Sequence, residues 1–227
     1  VHVKDADSTK VTTLADSGKT GTWLIDPTDF TVSAGGAAHA NGGIGADTLS
    51  SSLATTDVTL QTVPTGSEAG DIHVNAAVSW DADTTLTLNA HGAIHINAPI
   101  TATGVGAGLA LNHGDSKGNT TPTSGSDYHI NAPVTLSGAN ARLAINGNDY
   151  TLIHSMAQLD AIDSPPNPAG YYALAQDLNA AGQPYTQALV GTSDNNAFKG
   201  TFDGLGHTIS NLTINVTSPS GNNNTYA

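Results

Sequence analysis

Three histidines stand at matching places in the chain. His73, His95 and His129 lie in the phrases IHVNAAV from Ile72, IHINAPI from Ile94 and YHINAPV from Tyr128. Imidazole titrates near neutrality and ligates transition metals, so rings brought together can hold an ion or act as a pH-sensitive patch. Strand alternation puts all three on the outer face when Ile72, Val74 and their counterparts point inward. Duplication of a repeat leaves the same pattern, and no carboxylate stands beside each histidine to orient it. The sequence therefore favours an inherited ladder, and no metal is expected there.

The companion asparagines Asn75, Asn97 and Asn131 suit a structural role, since stacked amides bond along a ladder. GGIGADTLS, residues 42 to 50, fits the calcium nonapeptide pattern, with Asp47 supplying an oxygen. Such sites share ions between successive turns and no second copy follows, so a flexible loop across Gly35 to Gly45 is preferred and no cofactor is expected. For paired-carboxylate hydrolysis the candidates are Asp160, Asp163, Asp177 and Asp203. Asp203 lies in Phe-Asp-Gly-Leu-Gly, which turn chemistry explains. No nucleophile elbow, zinc-protease helix or phosphate loop occurs, so an enzyme is not expected.

The residues between these positions predict how they are held. A second phrase follows each first one, as LTLN from Leu86, LALN from Leu109 and LAIN from Leu143, and both shift by about 22 and then about 34 residues. Apolar residues alternate within each phrase, the period of a strand, and no segment keeps a helical period. Each repeat then holds two short strands that bury their inward faces by stacking at about 4.8 Å. The expected fold is all-β, a right-handed single-stranded parallel β-helix, an elongated solenoid, with handedness taken from the general preference of parallel crossovers. The longer second step leaves HGDSKGNTTPTSGSD, His113 to Asp127, as an extruded loop. Its His113, Asp115, Lys117 and Asn119 are the candidate binding residues.

Composition agrees with a core of small and β-branched residues. Aromatics make up 5% and charged residues 11% of 227 residues, and the formal charge of −13 disfavours nucleic acid as a partner. There is no cysteine, which removes disulfides and thiolate sites. No run reaches the length of a membrane span, and any targeting signal is expected outside this piece of a longer protein. Trp23 and Trp80 suit core or cap packing better than a sugar platform. Asn119, Asn211 and Asn215 each begin an Asn-x-Thr glycosylation pattern.

The block GTWLIDPTDFTV, residues 21 to 32, followed by coils carrying IHVNA and LTLN, resembles large exoproteins of the filamentous haemagglutinin type, exported by two-partner secretion in Gram-negative bacteria. YYALAQDLN at 171 to 179 with FKGTFDGLGHTISNLTI resembles the GLUG-type repeat of bacterial adhesins and surface peptidases. The resemblance implies filamentous-haemagglutinin-type coils over 1–153 and GLUG-type coils over 154–227. It further implies a secreted or cell-surface adhesin whose partners are host-cell or bacterial-surface glycans or proteins, with an outer-membrane transporter during secretion. The alternatives are a polysaccharide-binding or polysaccharide-cleaving β-helix protein and the stalk of a toxin-delivery exoprotein.

Overall fold

The computed structural model describes residues 22–25, 29–40, 42–63, 69–114, 127–163, 169–191 and 197–215. In chain order these form β1 (Thr22–Ile25), β2 (Phe30–Ser33), β3 (Gly43–Gly45), α1 (Ala46–Leu53), β4 (Asp57–Gln61), β5 (Ile72–Val74), β6 (Val78–Trp80), β7 (Thr85–Asn89), β8 (Ile94–Ile96), β9 (Ile100–Ala102), β10 (Gly108–Asn112), β11 (Tyr128–Ile130), β12 (Val134–Leu136), β13 (Arg142–Ile145) and β14 (Asn148–Ile153). They continue as α2 (Met156–Asp160), a short 3-10 turn (Ala161–Asp163), β15 (Tyr171–Leu174), β16 (Leu178–Asn179), β17 (Thr201–Asp203) and β18 (Ile209–Ser210). The chain divides into two compact units, Val1–Asp149 and Tyr150–Ala227.

In the first unit the strands sort into three separate open sheets. One runs β1-β4-β7-β10-β13, a second β11-β8-β5-β2-β3, a third β12-β9-β6. Neighbours pair in parallel and in the register of the sequence phrases: Ile72↔Ile94, Tyr128↔Ile94, Leu86↔Leu109 and Leu109↔Leu143. Alternation decides what each strand buries. Phe30, Val32, Leu60, Ile72, Leu86, Leu88, Ile94 and Leu111 are fully buried, while the residues between them keep partial exposure. Burial of each such Leu or Ile contributes about 1.5–3 kcal/mol, which compensates for the scarcity of aromatic rings. Trp80 is among the buried residues, and its indole Nε1 donates to the Thr84 carbonyl at 3.1 Å. The side chain of Trp23 lies outside the described set.

The expectation of one all-β, right-handed parallel β-helix through the chain is corrected. The described strands form separate sheets, none closed on itself, with helices among them and a division into two units. Two local features account for much of the difference. At Asn146 (φ 47°) and Gly147 (φ 76°) two successive residues with positive φ join β13 to β14. A two-residue turn of that kind reverses the chain as a hairpin instead of carrying it to another parallel strand. The second feature is α1, where Ala46, Leu49 and Leu53 are buried at helical spacing, so a helical period exists where none was expected. Each repeat also carries three strands, not two. β5, β6 and β7 form one set, because Asn75 to Ala77 make a corner too short to break the alternation visible in sequence.

In the second unit β14, β15 and β17 pair in parallel, as do β16 and β18. Their core gathers Ile153, Met156, Leu159, Ile162, Tyr172, Leu174 and Leu178. α2 begins at Ser155, whose Oγ accepts from the Gln158 N–H at 3.2 Å, an N-cap. Ile209 is half-buried in β18, but Leu212 and Ile214 beyond it are 40% and 41% exposed. Asn211 at φ 56° turns the backbone before they can extend the strand.

Candidate functional site

The outward residues of β5, β8 and β11 meet in register, His73 beside His95 and His95 beside His129. Parallel pairing fixes the spacing, and both ring pairs stack with centroids 4.7 Å apart, at interplanar angles of 10° and 17°. Thr31 of β2 occupies the same row on the other side of His73. The sequence thus identified the row. It did not identify the carboxylate beside it.

That carboxylate belongs to Asp71, the residue before β5. Its Oδ2 lies 3.9 Å from His95 Nε2, and one donor atom each from Asp71, His73 and His95 lies within 4.8 Å of the others. Its side chain and its backbone are each held. Its Oδ1 accepts from the Ala93 N–H at 2.7 Å, while its own N–H and that of Gly70 donate to Asp29 Oδ1 at 2.8 and 2.7 Å. Gly92 makes the position possible, because a Cβ there would collide with Asp71 Oδ1 and the Ala69 carbonyl. The signal available in sequence was the Asp-x-His spacing of Asp71 and His73, which alternation places on one face.

Burial is the main cause that lowers the pKa of His95, and the neighbouring His73 and His129 add to it against a raising effect from Asp71. The shift favours the neutral ring, whose free nitrogen carries a lone pair.

The other candidates are distributed apart from this row. Asp47 is exposed in the first turn of α1, and GGIGADTLS forms β3 and the start of that helix instead of a calcium turn or a wholly irregular loop. Apolar Leu49 and Leu53 explain the helix, since they bury one face of it. His113 is fixed in place: its N–H donates to Asn146 Oδ1 at 2.9 Å, and its ring lies 5.5 Å from that of Tyr128. Asp115, Lys117 and Asn119 lie outside the described residues. Asn211 donates its amide to Asn179 Oδ1 at 2.9 Å, an interaction with which a glycan on Nδ2 would compete, whereas the exposed Asn215 donates its backbone N–H to the Tyr185 carbonyl.

Two of the four carboxylates weighed for hydrolysis, Asp177 and Asp203, are engaged with backbone. Asp203 Oδ1 accepts from the Leu205 N–H at 2.8 Å, closing the turn its Asp-Gly pair suggested. Asp177 Oδ1 accepts from the Thr208 N–H at 2.8 Å and lies 3.3 Å from His207 Nδ1; the Thr208 bond, more than the histidine, holds its pKa below the usual value. Asp160 ends α2 on the surface, and the side chain of Asp163 is outside the described set. In the first unit Asp57 and Asp83 likewise accept from Thr85 and Gly106 on the next rung.

Comparison with family models, characterised proteins and solved structures found no match to this chain. Among the described residues no helix is long and apolar enough to cross a membrane.

Proposed function

We propose that this chain is a display and binding segment of a large secreted bacterial surface adhesin, and that it is not an enzyme. The observation that carries the reading is the set of outward rows fixed by parallel register: Thr31, His73, His95 and His129 in one, Ser79, Thr101 and Thr135 in another. Repetition at strand spacing presents hydroxyl, imidazole and amide groups along a surface, a geometry suited to an extended glycan or protein ligand on a host or neighbouring cell. The engagement of Asp177 and Asp203 with backbone N–H groups supports the same side of the choice. A hydrolase needs a carboxyl pair free to protonate and to attack across the scissile bond.

The resemblance of GTWLIDPTDFTV and the IHVNA phrases to two-partner-secretion exoproteins motivates the cell-surface location and export through an outer-membrane transporter. The test is a paired assay on the intact chain: retention on arrays of surface glycans and proteins, and release of reducing ends from a polysaccharide panel. Retention without release is expected. Release that disappears in Asp177→Asn or Asp203→Asn would replace this reading with a carbohydrate-active enzyme.

A further inference from the structure

Asp71, His73 and His95 combine donor atoms that chemistry seldom places together without consequence. Two imidazole nitrogens and one carboxylate oxygen match borderline first-row ions, whereas calcium and magnesium take several oxygens and no imidazole. We propose that these three residues bind one divalent transition ion of the zinc class at the surface of the second sheet, leaving a coordination position open to water or to a donor on a partner molecule. The inference is independent of whether the chain is an adhesin.

Position and rigidity favour the site. Parallel register sets His73 and His95 side by side, and Asp71 is two residues from His73 on the same face. The bond from Ala93 holds Asp71 Oδ1, which leaves Oδ2 directed at His95. Asp29 in turn fixes the backbone of Asp71, the supporting arrangement that orients metal ligands elsewhere. All three ligands are partly exposed, so an ion reaches them without opening the core.

The donor atoms lie within 4.8 Å, wider than the separation of about 3.3 Å that a tetrahedral zinc site with bonds near 2.0–2.1 Å requires. Closing that gap turns the imidazoles out of their parallel stack. The terminal torsion of histidine is broad, and both residues are partly exposed, so rotation rather than backbone movement supplies the change. Metal binding thus predicts loss of the His73–His95 stack as well as a bound ion. His129, stacked on the other face of His95, is the competing ligand and the control.

The experiment is a titration of the metal-stripped chain with zinc, monitored by calorimetry and by the imidazole resonances of all nine histidines. One equivalent is expected, with His73 and His95 shifting together. Asp71→Asn, which retains an oxygen for Ala93, and His95→Gln should each lose affinity by at least the roughly 10–100-fold that removal of a supporting group costs. His129→Gln should stay near the parent. Should a variant fail to fold, zinc protection of His73 and His95 from acylating reagent in the unaltered chain, read by mass spectrometry, gives the same answer. Absence of a stoichiometric site, or a site lost with His129 and retained without Asp71, overturns the proposal.

Discussion

Asp71 commits both oxygens of its carboxylate to the next rung: Oδ1 accepts from the Ala93 N–H at 2.7 Å, and Oδ2 lies 3.9 Å from His95 Nε2. One side chain thereby joins the backbone of the corner to the histidine row. The room for it is provided by Gly92.

The first prediction concerns that room. Gly92→Ala introduces a Cβ against Asp71 Oδ1 and the Ala69 carbonyl and should destabilise the first unit by about 1–3 kcal/mol, the usual cost of overpacking. Gly36→Ala, with nothing within 4 Å of the added carbon, serves as the control and should leave the denaturation midpoint near the parent value. Equal midpoints for the two variants would contradict the packing account.

The second concerns pH. The pKa of His95 is lowered chiefly by burial, then by His73 and His129, with Asp71 opposing, and that of His154 is lowered by burial. Around these groups the unfolded chain binds protons at a higher pH than the folded one. Stability is therefore fully present above the ordinary value of 6.5 and declines as the pH falls from there toward the lower folded values. His95→Asn should flatten part of this decline, and adding His154→Asn should flatten more. Chemical denaturation at several pH values checks it, and an unchanged slope in both variants would refute it.

The third addresses the amide ladder. Asn97 donates to Asn75 at 2.8 Å and accepts from Asn131 at 2.7 Å, so Asn97→Ala removes two bonds where Asn75→Ala removes one. Net contributions of about 0.5–1.5 kcal/mol per hydrogen bond apply, toward the low end at these exposed positions. Asn97→Ala should be the more destabilising by equilibrium unfolding. Equal losses would indicate that the ladder contributes nothing.

Much of the register was legible in the sequence. The IHVNA and LTLN phrases pair as their spacing suggests, and the amide bonds of Asn75, Asn97 and Asn131 follow from it. The continuous helix of coils was not a sound extension of that register. It overlooked Asn146-Gly147, an adjacent pair whose turn chemistry reverses a chain, and it read GGIGADTLS by its glycines and not by the Leu49 and Leu53 that follow. Asp71 was missed for a different reason. The Asp-x-His spacing placed it near His73, but its hold on the next rung is a hydrogen bond from Ala93, 22 residues away, which spacing along one phrase does not reveal.

The most direct test of a binding surface built from in-register rows is attachment of beads carrying the chain to cell monolayers. Thr101→Arg and His95→Arg would be compared with the parent and with Asp177→Asn, all matched for folding. The account predicts attachment by the parent, a loss of about tenfold for at least one row variant, the effect of a single interface anchor, and no loss for Asp177→Asn. Attachment insensitive to every row, or none by the parent to any surface, would contradict it.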